Sequence, residues 1–242
     1  MATVQKLLLP TSTALQSIEI EIHDKNCSAL QTADFSKQRF EDRCRVKFDE
    51  ISLVKIQKAM AYAESLPSRD TRHPSMRAYF AHPIRVAEFV LRLSESPAVE
   101  TVMLALIHNV FEVSEIIETD VINAGFTQRV ANSVRLLTIE REQQYDSVYL
   151  SEYYRKIEAF GPDLALVKCV DRLDNLLAFD LIKRTSQLGL YMDLTEQFVV
   201  PLAARLATDF GDYMLALLNR MRLSECNEVL RLKYEAFMND AA

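Results

Sequence analysis

The chain has 242 residues, 49% of them hydrophobic and 26% charged, with a net charge of −6 and no tryptophan. It carries 4 glycines where average usage would give about 17. Neither GxGxxG nor GxxxxGKS occurs, so a site built on a glycine-rich, phosphate-cradling loop is excluded. The acidic balance disfavours a general nucleic-acid or anionic-membrane binder.

What remains is an all-α protein: an N-terminal extension over residues 1–48, a helical domain over 49–210, and a C-terminal helix within 211–242 packed on it. Cys27, Cys44, Cys169 and Cys226 are scattered with no CxxC pair, so reduced thiols are the expectation rather than a zinc ribbon or a disulfide framework. The opening MATVQKLLLPTS has an apolar run too short for a signal peptide, and no stretch approaches a membrane span. A cytoplasmic, soluble protein is expected.

In the extension, Ser17 to Ile22 and Arg43 to Phe48 each alternate with period two. A small β-hairpin and an irregular arm are both consistent with this. From residue 50 a helical rhythm takes over. A first helix carries Ile51, Val54, Ala59, Ala61 and Ala63 and ends at Leu66-Pro67. A basic loop, Ser68 to Pro74, follows. Pro83 suits the first turn of the next helix. Val99 to Ile116 is apolar almost all round and reads as a single central helix. Thr127 is a good N-cap for 128–140. Asp146 to Phe160 forms an amphipathic helix closed by Gly161. Pro162 to Arg184 is a second long apolar helix, and helices near 193–209 and 211–238 end the chain.

The informative residues are polar ones inside these apolar helices. His108 and Glu112 are four apart and Asn109 is adjacent; Asp171 and Asn175 are also four apart. That spacing places each pair on one face of a helix. A lone buried carboxylate is costly without a compensating cation or metal. Histidines and carboxylates converging from several helices make a mixed N/O site for Mn, Fe or Zn. Two blander readings stand beside this one. His108 can be a satisfied core histidine, and Asp171 can form a buried ion pair with Arg172 or Lys168.

The set resembles the HD-superfamily phosphohydrolases, and within them the (p)ppGpp hydrolase domain of RelA/SpoT-type alarmone enzymes. The motifs, in order, are Tyr79-Phe80-Ala81-His82-Pro83, Ile107-His108-Asn109-Val110-Phe111-Glu112-Val113 and Gly125-Phe126. They continue with Lys168-Cys169-Val170-Asp171-Arg172-Leu173-Asp174-Asn175 and Pro201-Leu202-Ala203-Ala204-Arg205-Leu206. Nothing resembling a synthetase domain follows, so the likeness is to the small stand-alone hydrolases. The resemblance implies a manganese site at His82, His108, Asn109 and Asp171, with Glu112 handling the attacking water. It implies a substrate contact at Asn175, and Lys168 stands in the same motif. Arg72, His73 and Arg77 in the approach loop are basic enough for an anionic ligand; a solvated turn is the alternative. The implied partner is a nucleotide or another phosphorylated small molecule.

Two positions depart from the family pattern. Asn109 stands where the dyad has aspartate, and Val113 stands where the second catalytic acid belongs. An amide brings no charge to a divalent cation, which lowers affinity. Valine moves no proton, a loss of about 10²–10⁴ in rate. The expectation is weakened or altered metal-dependent hydrolysis of a nucleotide phosphate. The alternative is an inactive pseudo-hydrolase that senses a ligand or binds a protein, with no metal at all.

Overall fold

A computed structural model describes residues 33–66, 80–179 and 187–223, and these are helical with no strand among them. Helix α1 spans Ala33–Lys47, which corrects both readings of 43–48, the hairpin strand and the irregular arm. Burial there follows a helical step, not alternation: Ser36, Phe40 and Cys44 are buried at four-residue spacing, while Val46 is 86% exposed. The other alternating stretch, 17–22, lies outside the described residues.

Helix α2, Glu50–Ser65, starts where the Asp49 carboxylate accepts the Ser52 N–H at 2.9 Å. Its buried stripe is Ile56, Ala59, Met60 and Ala63, and Ile51 and Val54 are exposed. Helix α3, Ala81–Leu93, has Pro83 in its first turn and is buried along most of its length. Glu88 sits on α3 at 5% exposure and accepts from Arg39 at 2.7 Å and Arg43 at 2.8 Å. Both arginines belong to α1, so this pairing ties the end of the expected extension to the central layer.

The single central helix expected over Val99–Ile116 is two. Helix α4 covers Val99–Ile107, and helix α5 covers Val110–Val113. Asn109, at φ −118° and ψ 15°, leaves the helical region between them. Its carbonyl then accepts the N–H groups of Glu112 and Val113 at 2.9 and 3.2 Å, opening a new helix. The short helix α6 is Glu118–Asn123. Helix α7, Gln128–Leu137, begins at Thr127, whose hydroxyl accepts the Val130 N–H.

Helix α8, Ser147–Phe160, is capped by Asp146 and stops at Gly161, whose φ of +140° is a conformation that L side chains rarely adopt. Helix α9, Pro162–Phe179, follows directly. Helix α10, Leu188–Leu194, passes through a π-helical turn at Thr195–Val199 into α11, Val200–Leu206. The expected 193–209 helix is thus interrupted, and α12 covers 208–223. At Gly211 a Cβ would stand 2.5 Å from the Ala204 Cβ, so α11 and α12 approach as closely as the missing side chain allows.

Helices α3, α4 and α9 form the centre. α3 packs on α1, α4 and α9, and α9 also meets α4, α8 and α11. One apolar cluster runs through them and includes Tyr213, Met214, Leu217 and Leu218 of α12. Among the described residues no helix is long and apolar enough to cross a membrane.

Candidate metal centre

Three helix segments bring His82, His108 and Asp171 together. His82 comes from the first turn of α3, His108 from the end of α4, and Asp171 from the middle of α9. One ligand atom from each lies within 4.8 Å of the others. His82 Nε2 is 3.3 Å and His108 Nε2 is 3.6 Å from Asp171 Oδ1. The two imidazoles meet edge to face with centroids 5.2 Å apart.

The break between α4 and α5 is what aims His108. Its Nδ1 donates to the Ala105 carbonyl at 2.7 Å, so in the neutral ring Nε2 carries the lone pair. That Nε2 is buried and has no hydrogen-bond partner. An orphaned imidazole nitrogen facing a carboxylate is the arrangement a cation completes. His82 is organised differently: its Nδ1 donates to Asp174 Oδ2 at 2.7 Å, which leaves Nε2 for Asp171. Burial disfavours the charged ring, but the hydrogen bonds to Asp171 and Asp174 outweigh it and raise His82 to about 9.

Asp171 also takes the Lys168 ammonium on Oδ2 and the Asn175 amide on Oδ1, both at 2.9 Å. Burial pushes its acid strength down, yet Lys168 and the two imidazoles hold the carboxyl well below the usual range. The ion-pair reading of Asp171 is therefore realised with Lys168. Arg172 points elsewhere: it donates to the Tyr154 hydroxyl at 3.1 Å and lies 4.2 Å over the Tyr191 ring. Lys168 sits 5.6 Å over the Tyr153 ring. Burial opposes its charge, and Asp171, with Glu112 among the further causes, keeps it protonated.

The remaining expected residues divide. Glu112 is exposed beyond the break, and its carboxylate accepts the Ile139 N–H at 2.9 Å. Because the helix breaks, Glu112 and His108 are not stacked on one continuous face as their spacing predicted. Val113 is buried at 7% exposure and Asn109 at 5%. Asn109 is adjacent to His108 in the turn that separates α4 from α5. Arg72, His73 and Arg77 lie outside the described residues.

Two residues that spacing did not single out as part of the site are built into it. Asp174 is 1% exposed and receives Arg85 through both oxygens, at 2.7 and 2.8 Å, besides His82. Asp174 interrupts an apolar helix just as Asp171 does, and that interruption was the available signal. Arg85, with a carboxylate partner 89 residues away, left none. No protein-family model matches the chain, and no curated protein is found related to it.

Proposed function

We propose that this is an HD-type helical protein that binds one divalent metal ion through His82, His108 and Asp171 and hydrolyses a nucleotide phosphate slowly. The observation that carries the reading is the buried His108 Nε2 with no hydrogen-bond partner, set against Asp171 and His82. Two imidazoles and one carboxylate suit manganese, iron or zinc. Bound there, the metal would acidify a water and polarise a phosphoryl oxygen. Asn175 and Lys168 would orient Asp171 and meet the charge of the phosphate. In the hydrolysis a water oxygen would bond to phosphorus as the phosphoester P–O bond breaks, Glu112 would take the water proton, and the departing oxygen would take a proton from solvent. The bond to the Ile139 N–H fixes the Glu112 carboxylate for that task.

Weak turnover is expected for two reasons. The dyad aspartate is replaced by Asn109, and the second acid by a buried Val113 that accepts no proton. Those two side chains also favour a second reading, a pseudo-hydrolase that uses the same residues to bind without turnover. Calorimetric titration with Mn²⁺ and a nucleotide panel, followed by an assay of pyrophosphate release from ppGpp, separates the two. Slow Mn²⁺-dependent release, lost in Asp171→Ala, is expected. Nucleotide binding without release would establish the pseudo-hydrolase, and no metal binding at all would remove both the site and the hydrolase.

A further inference from the structure

Asp174 is the most enclosed charged side chain of the cluster, and it bonds to His82 and to Arg85, one turn further along the same helix. Its Oδ2 accepts His82 Nδ1–H at 2.7 Å and Arg85 Nη2 at 2.8 Å, and its Oδ1 accepts Arg85 Nε at 2.7 Å. His82 and Arg85 are three apart on α3, and Asp174 is on α9. The planar guanidinium fork fixes the plane of the carboxylate. The carboxylate then fixes both the tautomer and the direction of the imidazole.

From this geometry we infer that Asp174, held by Arg85, is a positioning residue that keeps His82 with Nδ1 protonated and Nε2 turned toward Asp171. The inference names a device in this chain's own residues; its consequence for metal rests on the reading given above. Histidine ligands whose other nitrogen is bonded to a carboxylate are better oriented and more basic, and losing such a partner costs about 10- to 100-fold in metal affinity. A residue with a purely structural role would lower the melting temperature and leave ring geometry and metal affinity alone.

The chemistry of substitution is asymmetric. In Asp174→Asn the amide oxygen can still accept from His82 and from one arm of Arg85, while the amide nitrogen faces a second donor and loses that bond. Asp174→Ala removes every acceptor. The test uses the whole chain. Nitrogen-edited NMR of the metal-free protein follows the low-field Nδ1–H proton of His82, assigned with His82→Gln. Zinc affinity is measured by competition with a chromophoric chelator. The proton is expected in the wild type and in Asp174→Asn, and is expected to vanish in Asp174→Ala. Zinc should bind about 10- to 100-fold more weakly in Asp174→Ala and within a few-fold of wild type in Asp174→Asn.

Absence of that proton in the wild type would overturn the inference even if Asp174→Ala fails to fold. A folded Asp174→Ala with zinc affinity within twofold of wild type would also overturn it, leaving an ion pair that only stabilises. A wild type that shows the proton but takes no zinc would support the positioning of His82 and overturn the metal reading alone.

Discussion

Asp171 and Asp174 stand three residues apart on one buried helix, and the fold compensates them in different ways. Asp174 is closed: a bidentate arginine and an imidazole N–H occupy both oxygens at 2.7–2.8 Å. Asp171 is half open. Lys168 saturates one oxygen, while the other has an amide at 2.9 Å, a long hydrogen bond to His82 Nε2 at 3.3 Å and His108 Nε2 at 3.6 Å. Glu88, further along α3, is likewise paired with arginines: Arg39 and Arg43 both donate to its Oε1. A buried carboxylate surrounded by fixed cations holds helices together. One whose second oxygen is held by longer contacts, beside an orphaned histidine nitrogen, is where the proposed metal ion would sit.

Breaking the closed carboxylate should have the largest effect on folding. Asp174→Ala takes the bidentate acceptor from the half-buried Arg85 and the acceptor from His82 Nδ1–H, and should cost about 3 kcal/mol, measured by urea unfolding with chelator present. Asp171→Asn should cost about 1.5–3 kcal/mol, because the amide oxygen still accepts from Lys168 but the buried ammonium loses its counter-charge. It should nevertheless abolish metal binding in calorimetry. If Asp171→Asn destabilises as much as Asp174→Ala, the two sites are alike and the distinction falls.

The contrast also has a pH signature. Burial works against the Asp174 charge, but Arg85 and His82 outweigh it and hold the carboxyl near 2 instead of 3.8. That contribution is full above pH 3.8 and disappears as the pH falls toward 2. His82 is raised from 6.5 to about 9, so its contribution is full below pH 6.5 and is lost as the pH rises through 9. Each limb corresponds to about 2–3 kcal/mol, and the two largely count the same interaction from its two partners. Chelated protein should therefore be most stable between about pH 4 and 6.5, and Asp174→Asn should flatten both limbs in melting scans.

Away from the site effects should be smaller. Gly211→Ala forces a methyl against Ala204 and should cost about 1–3 kcal/mol by urea unfolding. Thr127→Ala loses the cap of α7 for about 1 kcal/mol, with no change in metal affinity.

Much of the helical order was legible in the sequence. Asp49, Thr127 and Asp146 cap helices; Pro83 and Pro162 stand in first turns; Gly161 ends α8. The failures have physical causes. Over 43–48 a six-residue alternation imitated a strand because Val46 is an exposed apolar residue between charged ones on a helix. The α4–α5 break was hidden because Asn109 leaves the helical region inside an apolar run that otherwise favours helix. At the site, His108 and Asp171 were found as polar residues in apolar helices, with Lys168 and Asn175 beside Asp171, and His82 through the family resemblance. The support behind His82 was not, since the pairing of Arg85 with Asp174 exists only after α3 packs on α9.

The central claim is tested most directly by stripping the protein with a chelator, reloading it with excess Mn²⁺ or Zn²⁺, and counting tightly held metal per chain. The account predicts one ion per wild-type chain and none in His108→Ala, which removes the orphaned nitrogen while leaving the Lys168–Asp171 pair. Wild-type protein that holds no ion, or His108→Ala protein that holds as much, would contradict it.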